Sequence, residues 1–267
     1  MISRKMLKIG MAGLFAVLAS GLAGAEKPIA PQGGTTPGSA TDISIDTGWT
    51  QSNFNSTTGV RYYHAYLFSG RSYCLETRAP FYDIDNYTND IYSYVYTSTA
   101  ATTIFHYNDD WFQEPSSQFY TKNCFIWTPA TNFTAISIGD LGGAPANTQP
   151  FDFRLVDTTL FGPWWYVDVA SGYDTFIEVT NTTANTINIA VAISNPSGTV
   201  VGTASGILAG RANAGISVRA ITGLVNGNGS VQIAHTGAPG AVAANATALS
   251  AVTGLSFDAP LSRRQNW

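Results

Sequence analysis

Carboxylates and carboxamides crowd two short stretches of the chain: Asp83, Asp85, Asn86 and Asp90 in the first, and Asn108, Asp109 and Asp110 in the second. An oxygen-rich set of this kind suits calcium, which takes roughly six to eight oxygen ligands, and two acidic loops at one end of a β-fold would supply them. The spacing is not that of an EF-hand, because the sixth position counted from Asp83 is Thr88, where that loop turns on glycine. Asx side chains also satisfy backbone groups in tight turns with no metal. Calcium held by Asp83, Asp85, Asp90, Asp109 and Asp110 and plain turn chemistry therefore both stay open, and no other cofactor is required.

Catalytic chemistry has less to work with. The chain has three histidines and no G-x-S-x-G elbow or H-E-x-x-H pair. His64 lies in the aromatic run Tyr62-Tyr63-His64-Ala65-Tyr66, His106 stands two residues before the Asn-Asp-Asp turn, and His235 borders Gly237. A glycosidase needs two opposed carboxylates, and past the leader the only glutamates are Glu76, Glu114 and Glu178, although aspartates could serve instead. No catalytic residue is assigned. Aromatic side chains give the better binding signal: Trp111 and Phe112 follow the acidic turn, and Trp164, Trp165 and Tyr166 follow Gly162-Pro163. Flat rings stack on sugar faces or anchor interfaces at low entropy cost. Neighbouring strand residues face opposite ways, so half of each pair is equally readable as core.

Composition narrows the scaffold that must position these groups. Of 267 residues, 45% are hydrophobic, 12% aromatic and only 11% charged, against roughly 25% charged in an ordinary soluble domain. Four lysines cannot make a basic nucleic-acid surface, and so little charge does not suit a long coiled coil. Asn, Thr, Ser, Gly and aromatics in place of charges suit short strands and tight turns.

Arg4, Lys5 and Lys8 precede an apolar run over residues 9–22, and Ala23-Gly24-Ala25 has the small-x-small form of an export cleavage site. Cleavage after Ala25 is expected, leaving ten basic against seventeen acidic side chains and no integral membrane segment. The product is expected to be secreted, periplasmic or at the cell surface. In such an oxidising compartment Cys74 and Cys124 are expected to form a disulfide.

Strand-like runs at residues 61–68 and 71–78 flank Ser69-Gly70, which reads as a hairpin. In the second run Tyr73, Leu75 and Thr77 share one face while Cys74 and Glu76 take the other. Further strands are expected at 92–96, 103–107, 119–127 and 133–138. Ile187, Ile189, Val191 and Ile193 then alternate with Asn188, Ala190, Ala192 and Ser194, followed by an Asn195-Pro196-Ser197-Gly198 turn. Strands at 173–180, 216–221 and 231–235 complete an all-β chain of two β-sandwich domains. The division is a signal peptide at 1–25, a flexible leader at 26–43, a first domain at 44–140, a linker at 141–150, a second domain at 151–260 and a tail at 261–267.

The run from Tyr66 to Leu75, followed by Asp83-Ile84-Asp85, a strand at 91–96 and Asn108-Asp109-Asp110, resembles the bacterial pre-peptidase C-terminal domain over residues 44–140. That resemblance implies a jelly-roll-like sandwich of the kind appended to secreted hydrolases, where it aids secretion or binds matrix, carbohydrate or calcium. Asn86-Tyr87-Thr88-Asn89-Asp90 lengthens the acidic segment, and no catalytic domain accompanies it. The second half, with residues 174–181 and the Asn-Pro-Ser-Gly turn, resembles immunoglobulin-like or fibronectin-like modules of bacterial surface proteins.

These readings converge on an exported binding protein whose partner is extracellular polysaccharide or a surface or matrix component, with no nucleic-acid partner. Two other classes stand beside it: a structural subunit whose strand edges pair between copies, and an unrecognised secreted hydrolase.

Overall fold

The computed structural model describes residues 32–79, 91–109, 111–113, 119–141 and 150–264. The expected signal peptide, Asp83, Asp85, Asp90 and Asp110 lie outside these residues, as do 142–149 of the expected linker.

The first ten strands, in chain order, are β1 (Thr41–Asp42), β2 (Thr50–Asn53), β3 (Val60–Tyr66), β4 (Ser72–Ala79), β5 (Ile91–Tyr96), β6 (Ile104–Asn108), β7 (Trp111–Gln113), β8 (Phe119–Ile126), β9 (Phe133–Asp140) and β10 (Pro150–Asp157). They form two five-stranded sheets, ordered β1-β3-β9-β5-β6 and β2-β10-β4-β8-β7. Strand periodicity explains the core between them. Tyr63 and Ala65 of β3, Leu75 of β4, Ile91 and Val95 of β5, Ile136 and Ile138 of β9 and Phe153 of β10 all point inward and are buried. Each large apolar side chain contributes about 1.5–3 kcal/mol by leaving water.

Strand β4 is central and buried on both faces. Tyr73 and Leu75 join the core, while Glu76 on the other face is met by Arg154 of β10 at 2.5 Å and Lys122 of β8 at 3.9 Å. Cys74 and Cys124 are register partners on β4 and β8, with Cα atoms 4.0 Å apart, and form the expected disulfide.

Three expectations change here. The runs at 61–68 and 71–78 are strands but not a hairpin: β3 pairs with β9, whereas β4 pairs with β8 and β10 in the facing sheet. Gly70, at φ +81°, turns the chain from one sheet to the other. The leader is not loose over residues 32–43, because Gly34 bridges Tyr62 and β1 pairs in parallel with β3. The division between the halves lies after β10, which pairs with β2 and β4, so the chain passes on at Thr158-Thr159 rather than within 141–150.

The remaining elements are β11 (Leu160–Asp168), β12 (Tyr173–Asn181), β13 (Ile187–Ser194), β14 (Val200–Leu208), β15 (Asn213–Ser217), the single helical turn α1 (Val218–Thr222), β16 (Asn226–His235), β17 (Val242–Ser250) and β18 (Ser256–Arg263). Their sheet runs β14-β13-β16-β11-β18-β17-β12-β15, and a pairing of Asp168 with Tyr173 closes β11, β18, β17 and β12 into a small barrel. The core of this second half includes Trp165, Ile177, Val179, Ile189, Val191 and Ile233. The alternation of β13 is as read from sequence, with Ile187, Ile189, Val191 and Ile193 buried.

The strand expected at 216–221 is instead the end of β15 and α1. Ser217 caps the helical turn by accepting from the Ala220 N–H, and Gly223 at φ +67° ends it. Residues 261–264 of the expected tail are described: Leu261 is buried, and Arg263 pairs with Asp46 of the first half at 3.5 Å. Other joints between the halves are Ser72 N–H to Thr159 Oγ1 at 2.9 Å and Gln232 Nε2 to the Gly70 carbonyl at 2.8 Å.

Candidate binding site

Strand alternation sends the residues between the core positions of β3 and β5 to the outside of the first sheet. On β3 these are Tyr62, His64 and Tyr66; on β5 they are Tyr92, Tyr94 and Tyr96. The edge strand β6 adds Tyr107, the register partner of Tyr94, and the first residue of β9 adds Phe133, the partner of Tyr66. Between the two tyrosine rows β9 presents Ala135, Ser137 and Gly139 in register with them. Small side chains there leave a floor over which the phenols lean. The Tyr92 ring crosses Gly139 so closely that a Cβ at 139 would overlap its Cζ, Cε1 and hydroxyl.

The rings on this face fall in two groups, one on β5 and β6 and one where β3 meets β9. Ring centroids lie 5.1 Å apart for Tyr92 and Tyr94, 6.2 Å for Tyr94 and Tyr96, and 5.9 Å for Tyr94 and Tyr107. At the far end Phe133 lies 4.4 Å from Tyr66 and 4.9 Å from His64. Tyr66 and Tyr107 are 59% and 58% exposed, so the two ends are open, whereas Tyr96 at 8% is largely a floor residue bound to Ser137 Oγ at 3.1 Å.

Burial pushes the Tyr92 phenol up to about 12, and Tyr94, Tyr62 and Tyr96 beside it act in the same direction. Burial likewise raises Tyr96, against the opposing hydrogen bond to Ser137. The face thus presents neutral O–H groups and ring surfaces. No lysine or arginine is among its residues, and its charged neighbour at the β1 end is Asp42, 3.7 Å from His64 Nδ1. Neutral hydroxyls and apolar rings without a cation suit an uncharged polyhydroxylated ligand better than an anionic one.

The residues singled out from sequence are not brought together. Trp111 and Phe112 lie on β7, at the edge of the opposite sheet. The Gly162-to-Tyr166 segment is not a loop but part of β11, with a bulge between Gly162 and Trp165. The extra residue turns Trp164 outward, half-buried in a shallow surface depression with Asn195 and Asn228. Trp165 cannot contact a ligand: it is 0% exposed in the barrel core, and its indole N–H donates to the Ser194 carbonyl at 2.9 Å. Tyr166 packs on Tyr173 and donates to Asp168 at 3.3 Å. Of the acidic set, only Asp109 is described, and it is exposed; among the described residues no cluster of three His, Cys, Asp or Glu side chains is arranged to hold a metal. The tyrosine face was missed although Tyr62-x-His64-x-Tyr66 and Tyr92-x-Tyr94-x-Tyr96 show it as a period of two on the side away from the core.

His106 faces the other way from Tyr107. Its Nδ1 is 2.6 Å from Asn123 Oδ1, and Asn123 Nδ2 donates to the Ser93 carbonyl at 3.1 Å and to Ser93 Oγ at 3.0 Å. His235 is buried near the junction of the halves. Burial lowers its pKa to about 4 against an opposing hydrogen bond with the Thr158 backbone, so the ring is neutral and its Nδ1 accepts from the Gly237 N–H at 3.2 Å.

No protein-family model matches the chain, and no curated protein matches it. Among solved structures, a β-glucuronidase from glycoside hydrolase family 2 is similar at 10% identity, covering 81% of this chain and 26% of that protein, with a TM-score of 0.20. This chain thus spans about a quarter of that protein's length, and a likeness of this size carries no argument. Among the described residues no helix is long and apolar enough to cross a membrane.

Proposed function

We propose that this chain is an exported, non-catalytic binding protein whose tyrosine face takes a neutral extracellular polysaccharide. The observation that carries the reading is the alignment of Tyr62, Tyr92, Tyr94 and Tyr107 on one side of a rigid sheet, with exposed rings at both ends. Rings fixed on paired strands lose little freedom on contact, so their area is available for stacking. The Cys74–Cys124 disulfide supports an oxidising compartment. The proposal includes kinship of residues 44–140 with pre-peptidase C-terminal domains and of the later strands with immunoglobulin-like surface modules.

Affinity electrophoresis through gels holding a β-glucan, a mannan, a xylan or a galactan tests it. The mature chain is retarded by at least one of them, and Tyr94→Ala and Tyr107→Ala each weaken that retardation roughly tenfold, as expected for central aromatic contacts. Equal retardation of both variants and the parent contradicts the reading.

One observation favours self-association as a second reading. The end strand β14 runs nine residues, Val200–Leu208, without a charge or proline, and Val200 and Ile207 are 53% and 74% exposed. Concentration-dependent sedimentation of the mature chain would support it, and a monomer at all concentrations would remove it.

A further inference from the structure

Where the two halves meet, a cleft of about 610 Å³ opens beside the free edge of β6. One wall carries His106, Tyr107 and Asn108; the facing wall, from the turn before β13 and the segment after β16, carries Asn185, Thr186 and Thr236. Because the cleft wraps around a strand edge, residues from both faces of β6 reach it. Tyr107 therefore belongs to the cleft and to the tyrosine face at once.

The hydrogen-bond chain behind His106 fixes its chemistry. A backbone carbonyl only accepts, so the group of Asn123 facing the Ser93 carbonyl is its NH2, and Oδ1 is turned to the imidazole. Oδ1 only accepts, so Nδ1 of the neutral ring carries the proton and Nε2 carries the lone pair. Beyond this bond through Nδ1, no hydrogen bond of His106 is found among the described residues. The cleft thus holds an oriented acceptor for a ligand O–H, an aromatic ring beside it, and hydroxyl and carboxamide groups opposite. The one ammonium on its wall, Lys122, lies 3.9 Å from Glu76, a carboxylate it shares with Arg154.

We infer that this cleft is a second saccharide subsite, which takes a terminal or branching sugar of the chain lying on the tyrosine face, with a sugar hydroxyl donating to Nε2 of His106. The inference rests on the polysaccharide reading above and adds to it a site at which the sugar is read by directed hydrogen bonds rather than by stacking.

The chain has three histidines, so 15N-labelled imidazoles give a spectrum that resolves His106 against His64 and His235 as internal references. The mature protein is titrated with di- to hexasaccharides of glucose, mannose, xylose and galactose. The expected result is a saturable shift of the His106 Nε2 resonance with His235 unmoved. Thr186→Trp, which fills the cleft from the opposite wall at an exposed position, abolishes that shift while gel retardation by polysaccharide persists. No movement of His106 with any saccharide, or an unchanged shift in Thr186→Trp, overturns the subsite. Failure of the tyrosine-face reading looks different: retardation is then untouched by Tyr94→Ala while His106 still responds.

Discussion

Tyr92 on β5 lies flat across Gly139 on β9, its ring occupying the space that any side chain at 139 would need. This one approach sets the floor of the tyrosine face, because Tyr94 and Tyr96 follow on the same strand and lean against the ring before them. Gly139→Ala is therefore expected to push Tyr92 out of place and cost about 1–3 kcal/mol as an overpacking change. Urea denaturation checks the stability term. Affinity electrophoresis should show polysaccharide retardation falling with it, whereas Gly215→Ala in the second half, where a Cβ meets nothing, leaves both unchanged.

The disulfide joins β4 and β8 beside Asn123, the residue that orients His106. It closes a sequence separation of 50 residues, which on the chain-entropy argument contributes about 4 kcal/mol by restricting the unfolded chain. Replacing Cys74 and Cys124 together with alanine should lower the denaturation midpoint accordingly. A midpoint equal to that of the parent would show that pairing in β4 and β8 is secure without it.

His235 gives a pH dependence of definite sign. Its folded pKa of about 4 lies below the ordinary value of 6.5, so between these values the unfolded chain takes up a proton that the folded chain refuses. Stability is full above pH 6.5 and declines as the pH falls toward 4, by about 3 kcal/mol in total. His235→Gln should flatten that part of the stability curve. An unaltered slope would mean that carboxylates alone produce it.

Adjacent tryptophans at the β11 bulge are expected to behave oppositely. Trp165→Ala removes a fully buried ring and its bond to the Ser194 carbonyl and should cost about 3–5 kcal/mol. Trp164→Ala removes a half-exposed ring and should cost less than about 1 kcal/mol. Thermal melts of the two variants check this, and equal losses would contradict the assignment of faces.

The all-β character was legible because alternation in β13 and on both faces of β4 is a property of single strands, whereas the closing of the later strands into a small barrel was not. Pairing was not, since whether Ser69-Gly70 joins partners in one sheet or turns the chain between two depends on β8, β9 and β10, far along the sequence. The bulge in β11 had the same effect on a smaller scale: one inserted residue exchanged the faces of Trp164 and Trp165, and only the register with β16 reveals it. The site itself was present in the sequence as two tyrosine alternations. It was passed over because each Tyr row reads as ordinary strand composition until Gly139, Ser137 and Ala135 are seen to lie between the rows. The His106–Asn123–Ser93 chain joins three strands and has no local signal at all.

Polysaccharide lying over the tyrosine face would shield its rings, and hydroxyl-radical footprinting with mass-spectrometric readout reports that shielding ring by ring. With the retarding polysaccharide bound, oxidation at Tyr66, Tyr94 and Tyr107 should fall severalfold while Trp164 and Phe257 on the second half label as before. Labelling of the three tyrosines that is the same with and without polysaccharide would show that the polysaccharide does not lie on this face.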